Sequence, residues 1–192
     1  MQIQPAHHRP ARPHPTAQPE RTRPNPVPLG VANVQAHGSQ RRSGAKRRDD
    51  DLFVLIVGAG RVGSAIAKRA LAAGHEVSVV DEDPLSHERL EEGDGQTWEE
   101  MGGQFTVGTA LETDALVEAG VQRADVFIAS TDGDNTNLTV AQVVRRRFGI
   151  EKVVCRVMDP ARAAWYAEQG LHTISPTQHA IEMFEQAIGI DD

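Results

Sequence analysis

The chain has 192 residues, enough for one domain of about 100–150 residues with an appendage. Charge is divided unevenly: residues 1–48 carry nine basic and one acidic residue (+8), and residues 49–192 carry eleven basic and 26 acidic residues (−15). The acidic body argues against a nucleic-acid partner for the folded part. The single cysteine, Cys155, excludes an internal disulfide and a cysteine-based zinc site, and no metal site is expected. No segment has the composition of a membrane span or a secretory signal, so a cytoplasmic location is expected.

Residues 1–48 are predicted to form a disordered basic arm. Eight of the eleven prolines lie between residues 5 and 28, interleaved with arginine, histidine and glutamine. Such a segment buries too little apolar surface to offset the entropy of ordering it. The basic cluster at 41–48, RRSGAKRR, is either a solvated extension or a tether to an anionic surface.

The alternation of apolar strands and amphipathic helices begins at residue 52 and predicts a single α/β domain over 52–188. The run LFVLIV (52–57) is typical of a strand buried on both faces of a parallel sheet. A helix follows, with Val62, Ile66, Ala70 and Ala73 expected on its buried face. Further strands are predicted at 76–81, 104–108, 124–130, 152–157 and 171–175, and helices at 110–120, 134–148, 160–169 and 177–187. The polar segment 84–103 is predicted to hold a short helix around 87–91 and a glycine-rich loop. Six strands separated by helices predict a Rossmann-like, doubly wound parallel sheet.

A G-x-G-x-x-G loop lies between the first strand and the first helix. Gly58 permits a tight turn, Gly60 allows the backbone to approach a phosphate, and Gly63 allows close packing of helix and strand. The amides at the start of the helix then point at the anion. The candidate phosphate-binding residues are Gly58, Ala59, Gly60, Arg61, Val62 and Gly63. Arg61 either reaches the phosphates or is a surface arginine.

An acidic residue ends the second predicted strand. Asp81 lies 18 residues after Gly63, where a carboxylate accepts hydrogen bonds from ribose hydroxyls. Glu82 and Asp83 follow, and Arg89 is the first basic residue after them. A 2′-phosphate would be repelled by these acids, so the predicted ligand is NAD(H) or an adenine mononucleotide, ATP or ADP, and NADP is disfavoured.

Ligands of open parallel sheets bind at the carboxyl ends of the strands, which nominates three further segments. Gly108, Thr109 and Ala110 follow the third strand, Ser130 and Thr131 follow the fourth, and Arg156 ends the fifth. The guanidinium of Arg156 needs solvent or an anion. A phosphate, a carboxylate across a dimer interface and an internal ion pair all remain possible partners.

No catalytic residue is predicted. A short-chain dehydrogenase would need a tyrosine with a lysine four positions on, but the only tyrosine is Tyr166 and residue 170 is glycine. The phosphate-binding loop G-x-x-x-x-G-K-[ST] is absent. Binding without chemistry is therefore favoured over catalysis.

Four segments together resemble the N-terminal nucleotide-binding domain of potassium-transport regulators, the RCK or Trk-type (KTN) domain. They are VLIVGAGRVGSAIAKRALAAGHEVSVVDEDP, VGTALETDALVEAGVQRADVFIASTDGDNTN, VVCRVMDP and GLHTISP, spread over about residues 52–188. The resemblance implies a cytoplasmic regulatory subunit that binds NAD(H) or ATP/ADP and gates a membrane potassium transporter from the inner face of the plasma membrane. It implies phosphate contacts at the glycine loop and Arg61, ribose at Asp81, adenine near Thr109 and Ala110, Thr131 in the crevice, and Arg156 at phosphate or a neighbouring subunit.

The resemblance also implies assembly into a homodimer or ring. Ile181, Phe184, Ala187 and Ile188 form an apolar stripe on the last helix, which either contacts another subunit or packs on its own sheet. Members of the family often continue into a small C-terminal ligand-binding domain, which is not expected within this sequence. Two other hypotheses remain open: an NAD-dependent oxidoreductase fragment acting with another chain, and an anionic-surface tether that uses the arm.

Overall fold

The computed structural model describes residues 51–91 and 95–190. The predicted arm over 1–48 lies outside the described residues. Six strands are present: β1 (Phe53–Val57), β2 (Glu76–Asp81), β3 (Gln104–Val107), β4 (Val126–Ala129), β5 (Lys152–Arg156) and β6 (His172–Ile174). Five α-helices alternate with them: α1 (Arg61–Ala72), α2 (Thr113–Glu118), α3 (Asp134–Arg147), α4 (Pro160–Glu168) and α5 (Pro176–Ile188). Two 3₁₀ helices, Pro84–Arg89 and Val121–Arg123, complete the described elements.

The strands form one parallel sheet in the order β3-β2-β1-β4-β5-β6. This confirms the predicted six-stranded, doubly wound sheet. All five residues of β1 are buried, as its apolar sequence predicts for a central strand covered on both faces. Leu55 and Val57 join the core shared with α2, α3 and α4, whereas Val54 and Ile56 join the core beneath α1.

The buried face of α1 differs from the predicted one. Val62 is 41% exposed and Ala73 is also exposed, so neither faces the sheet. The buried residues are Gly63, Ser64 and Ala67. The prediction was wrong for Val62 and Ala73, whereas Ile66 and Ala70 are partly buried against the core as expected. Helix α1 packs most closely through Gly63, where the absence of a side chain lets it approach β1.

The polar segment after β2 contributes a core residue that its composition concealed. Trp98 is completely buried, and its indole Nε1 donates a hydrogen bond of 3.0 Å to the carbonyl of Gln104. The short helix predicted around 87–91 is the 3₁₀ helix Pro84–Arg89, which begins where the Asp83 carboxylate accepts from the amide of Leu85. The segment therefore covers one face of the sheet as well as connecting β2 to β3.

The helix predicted over 110–120 begins three residues late, at Thr113. The chain turns first: the amide of Glu112 donates to the carbonyl of Thr109, and that of Leu111 donates to the Thr109 hydroxyl. This turn keeps Thr109 and Ala110 at the end of β3 instead of inside a helix.

Helix α5 packs differently from the other four α-helices. It has no buried residue, and its exposed apolar side chains include Ile181 (42%), Phe184 (71%) and Ile188 (68%). Both ends are capped, by the Ser175 hydroxyl at the N-terminus and by Gly189 in the left-handed conformation at the C-terminus. Of the two alternatives open for this stripe, packing on its own sheet is therefore not observed.

Cys155, in the centre of β5, is fully buried. Burial, with a smaller contribution from the Asp134 carboxylate, raises the pKa of its thiol from 9.0 to about 11. At pH 8 only about one thiol in a thousand is then ionised, and the thiolate is the reactive form. We expect a thiol reagent such as DTNB to label the native protein at least about 100-fold more slowly than the urea-unfolded protein. Stoichiometric labelling of the native protein at the unfolded rate would contradict the buried position.

Candidate functional site

A cavity of about 680 Å³ opens at the carboxyl ends of the strands, where β1 lies between β2 and β4. From β1 the chain winds outward to β2 and β3, and it later returns to β4 on the other side. The two loops that leave β1 and β4 therefore diverge and leave a crevice between them. Most of the residues nominated from the sequence line it: Gly58, Gly60, Arg61, Val62, Asp81, Glu82, Gly108, Thr109, Ala110, Ser130, Thr131 and Arg156.

The three glycines of the loop have different physical roles. Gly58 adopts φ +94°, and a Cβ there would lie 2.7 Å from the amide nitrogen of Thr131. At Gly63 a Cβ would lie 1.8 Å from the carbonyl oxygen of Gly58. Gly60 has open space around its would-be Cβ and lines the cavity. Gly58 and Gly63 therefore shape the loop, and Gly60 leaves room in the cavity.

The start of α1 faces the same cavity. Gly60 is the N-cap residue and offers no side chain to the first-turn amides, while Arg61 and Val62 line the crevice. Uncapped amides at a helix N-terminus favour an anion, both by hydrogen bonding and through the helix dipole. Arg61 is exposed and lines the cavity. This position is compatible with both alternatives for Arg61, a phosphate contact and a surface arginine.

Asp81 joins the glycine loop to the end of β2. Its Oδ2 accepts a hydrogen bond of 2.6 Å from the amide of Ala59, and its Oδ1 accepts one of 2.9 Å from the amide of Asp83. Ala59 itself is completely buried and lies outside the cavity lining, so its part is to orient the Asp81 carboxylate. Each carboxylate oxygen keeps a second lone pair for a ligand hydroxyl.

The wall of the crevice that carries Asp81 also holds Arg89, which the sequence analysis named only as the first basic residue after the acids. Arg89, at the end of the first 3₁₀ helix, lines the cavity together with Asp81, Glu82 and Asp83. The 3₁₀ helix folds the chain back, which brings residue 89 near residues 81–83. The acids still outnumber it, so weak binding of NADP stays a prediction.

Ser130 and Thr131 connect β4 to the other walls of the crevice. The Ser130 hydroxyl donates to the carbonyls of Val57 (3.1 Å) and Gly58 (3.0 Å). The Thr131 hydroxyl donates to Oδ1 of Asn137 (2.7 Å), a completely buried residue of α3. Asn137 was not nominated from the sequence; its place one turn into a helix beside a strand end was the available signal.

Arg156 reaches the crevice from the end of β5. Its Nη2 donates to the carbonyl of Thr131, and its buried Nε has no hydrogen-bond partner. Among the residues that the structure describes, no carboxylate forms an ion pair with Arg156. Over residues 51–91 and 95–190 the internal ion pair is thus not observed, and a phosphate and a neighbouring subunit stay open as the anionic partner.

Outside the crevice, His87 lies between two carboxylates. Its Nδ1 is 3.4 Å from Glu91 and its Nε2 is 2.8 Å from Glu99. The three side chains have the composition of a metal site, with potential ligand atoms within 4.8 Å of one another. Each ring nitrogen faces its own carboxylate, and these side-chain contacts account for the cluster without a metal.

A family model described as the TrkA-N domain matches residues 54–176, well over half of the chain. The chain belongs to the TrkA-N family. The resemblance to Trk-type potassium-transport regulators is therefore confirmed. The "Trk system potassium uptake protein TrkA" of Streptomyces coelicolor is 40% identical over 124 residues, covering 65% of this chain and 52% of that protein. A TrkA homolog of Methanothermobacter thermautotrophicus is 30% identical over 139 residues, 71% of this chain and 60% of the homolog. This TrkA-N chain thus spans a little over half the length of these curated relatives.

Solved structures with the same fold include other TrkA-N and RCK domains. The TrkA-N domain of the inner membrane protein ybaL from Escherichia coli superposes with a TM-score of 0.60 at 18% identity, over 73% of this chain and 98% of that one. The AMP-bound Kef C-terminal domain of Shewanella denitrificans gives 0.57 at 23% identity, over 72% and 80% of the two chains. The channel GsuK bound to ADP gives 0.56 at 20% identity, over 70% and 33%. At these identities the likeness establishes the fold.

Proposed function

We propose that this TrkA-N domain is a nucleotide-binding regulatory subunit of potassium uptake. The observation that carries the proposal is the Asp81 carboxylate, held by the amide of Ala59 in the glycine loop and facing the cavity that the loop lines. One crevice thereby offers acceptors for ribose hydroxyls and uncapped helix amides for phosphate. The relatives named as potassium uptake proteins supply the biological setting.

The ligand is NAD(H) or ATP/ADP. Within the glycine loop, Ala59 acts through Asp81 and Gly63 acts through the shape of the loop. The other proposed contacts are Glu82, Gly108, Thr109, Ala110, Ser130, Thr131 and Arg156. Structures of GsuK bound to NAD and to ADP, and of the Kef domain bound to AMP, show adenine nucleotides in proteins of this fold. The acids at 81–83 favour a free ribose 2′-hydroxyl over a 2′-phosphate.

The proposed role is binding without chemistry. Hydride transfer needs an acid or base beside the nicotinamide. Tyr166, the only tyrosine of the sequence, packs against the core from α4 and does not line the crevice. The titratable residues of the cavity lining are carboxylates and arginines. Such groups suit recognition of ribose and phosphate.

Calorimetric titration with NAD, NADH, ATP, ADP and NADP tests this proposal. We expect saturable binding of at least one of the first four and weaker binding of NADP. We also expect no oxidation of NADH in the presence of candidate 2-oxo acids and no reduction of NAD in the presence of candidate 2-hydroxy acids. Binding of none of the five would overturn the nucleotide-binding proposal. Turnover would instead support the oxidoreductase alternative, and salt-sensitive binding of anionic vesicles by residues 1–48 alone would support the tether.

We propose that the signal leaves the domain through assembly, as a homodimer or ring beneath a membrane potassium transporter on the cytoplasmic side. None of the helices in the described part of the chain could cross a bilayer. A 13-residue helix is marginal in isolation, so α5, whose apolar stripe is exposed, is expected to be stabilised by a second subunit.

Phe184→Glu is expected to shift the protein toward monomer, because it places a charge in the centre of the apolar stripe of α5. Light scattering at tens of micromolar protein, with and without nucleotide, measures the change. Gln186→Glu adds the same charge to an exposed position nearby on α5 and should leave the oligomer intact. A monomeric wild-type protein under both conditions would contradict assembly through this helix.

A further inference from the structure

Asn137 is the most completely hydrogen-bonded side chain at the crevice, although it does not line the cavity. It is fully buried in the first turn of α3. Its Oδ1 accepts from the amide of Thr131 (3.0 Å) and from the Thr131 hydroxyl (2.7 Å). Its Nδ2 donates to the carbonyls of Thr131 (2.9 Å) and Arg156 (3.0 Å). All four hydrogen-bonding positions of the amide are therefore used.

Every one of these bonds goes to a residue that does line the cavity. Asn137 holds the amide, the hydroxyl and the carbonyl of Thr131, and it holds the carbonyl of Arg156 on the neighbouring strand. The guanidinium of Arg156 returns to the same Thr131 carbonyl through Nη2. The side-chain amide of Asn137 thus holds the backbone carbonyl of Arg156. It also holds the Thr131 carbonyl, which accepts the hydrogen bond from the Arg156 side chain.

The Arg156 guanidinium has no anionic partner among the described residues. Its Nε is buried with no hydrogen bond. A cation held beside a cavity by a single carbonyl is arranged to receive an anion. Asn137 is therefore fully hydrogen-bonded, whereas Arg156 beside it keeps donors that are free for an anion.

We propose that Asn137 is a positioning residue for phosphate recognition: it orients Arg156, through Thr131, toward the phosphate of a bound nucleotide. The inference rests on the proposed nucleotide-binding function, and it adds that Asn137 contributes to recognition of the phosphate of the ligand. Asn137 is not proposed to touch the ligand. Its effect should therefore appear on ligands that carry phosphate and not on the nucleoside.

The test compares ADP with adenosine by calorimetric titration of the full chain. In Asn137→Ser, affinity for ADP should fall by about three- to tenfold, the size of one ordinary hydrogen bond, while affinity for adenosine stays within about twofold. The ADP affinity of wild type should weaken as NaCl rises, and this dependence should be smaller in the variant. Asn135→Ser is the matched control, an exposed asparagine two residues earlier on α3.

Arg156→Gln tests whether Asn137 acts through Arg156. If Asn137 acts through Arg156, adding Asn137→Ser to Arg156→Gln should not lower the ratio of ADP to adenosine affinity any further. Equal losses for ADP and adenosine in Asn137→Ser, or a further fall of the ratio in the double variant, would overturn the positioning role. Failure of the wild type to bind ADP, adenosine or NAD would instead overturn the proposed function together with this inference.

Circular dichroism establishes that each variant is folded before it is titrated. Thr131→Val provides a milder second route if Asn137→Ser does not fold. It removes the Thr131 hydroxyl, with its bond to Oδ1 of Asn137 and its longer contacts with Gly133, and leaves the other three bonds of Asn137 in place. We expect the ratio of ADP to adenosine affinity to fall by about two- to threefold, a smaller change than in Asn137→Ser. An unchanged affinity for both ligands, or equal losses for both, would count against the inference.

Discussion

Gly63→Ala is expected to destabilise the domain by about 3 kcal/mol or more, the range of severe overpacking at a site that cannot relax. The added Cβ would lie 1.8 Å from the carbonyl oxygen of Gly58 and 2.6 Å from the Ser130 hydroxyl. The first neighbour is backbone of the glycine loop, so relief requires α1 to move away from β1. Urea denaturation followed by circular dichroism measures the loss.

Gly60→Ala is the matched control from the same loop. Gly60 has φ −66° and no heavy atom within 4 Å of its would-be Cβ, so the free energy of unfolding should change by less than about 1 kcal/mol. The methyl group would project where the cavity is lined, and nucleotide binding should weaken. Equal stability of the two variants would show that α1 does not pack through Gly63.

Asp81→Ala is expected to weaken nucleotide binding by about 1–3 kcal/mol, the range for losing hydrogen bonds to a charged group. The substitution removes the acceptor for ribose hydroxyls and also releases the amides of Ala59 and Asp83. Affinity for NADP should fall less than affinity for NAD, because a negative charge leaves the neighbourhood of the 2′-phosphate. Calorimetric titration with both dinucleotides measures the two changes.

Asp125→Ala separates ligand binding from support of the backbone. The Asp125 carboxylate accepts a 2.7 Å hydrogen bond from the amide of Phe53, at the opposite end of β1 from the crevice. Both variants therefore lose a carboxylate that holds the backbone at an end of β1, but only Asp81 lines the cavity. Unchanged nucleotide affinity in Asp81→Ala, or the same loss in Asp125→Ala, would remove Asp81 from the site.

A nucleotide in this crevice can change assembly only if it binds two arrangements with different affinity. The structure shows a continuous set of contacts that could differ between them. The Asp134 carboxylate accepts from the amides of Met158 and Asp159, after β5, and the Ser175 hydroxyl that caps α5 donates to the carbonyl of Met158. The loop beside Arg156 is thereby joined to the start of the helix proposed to contact a second subunit.

The sequence by itself determined the fold and most of the crevice. Three local patterns were enough to predict the glycine-loop side of the crevice: a wholly apolar β1, the glycine loop after it and the acid at the end of β2. Each pattern can be recognised from the sequence because the loop follows its strand directly. Twelve of the fourteen nominated residues line one cavity, since parallel strands bring their carboxyl ends to the same edge. The binding roles of these residues remain predictions.

Only the tertiary structure decided the residues whose role depends on a distant partner. Trp98 lies in a polar segment and becomes core because a fold of the chain carries it onto the sheet. Arg89 lines the same cavity as the acids at 81–83 because the 3₁₀ helix Pro84–Arg89 brings the chain back to it. Asn137 is buried and bonded to residues at the ends of two strands, and its place one turn into a helix indicates neither its burial nor its partners. Periodicity and motifs depend on residues that are close in sequence. The positions of these three side chains instead depend on how separate segments of the chain pack together.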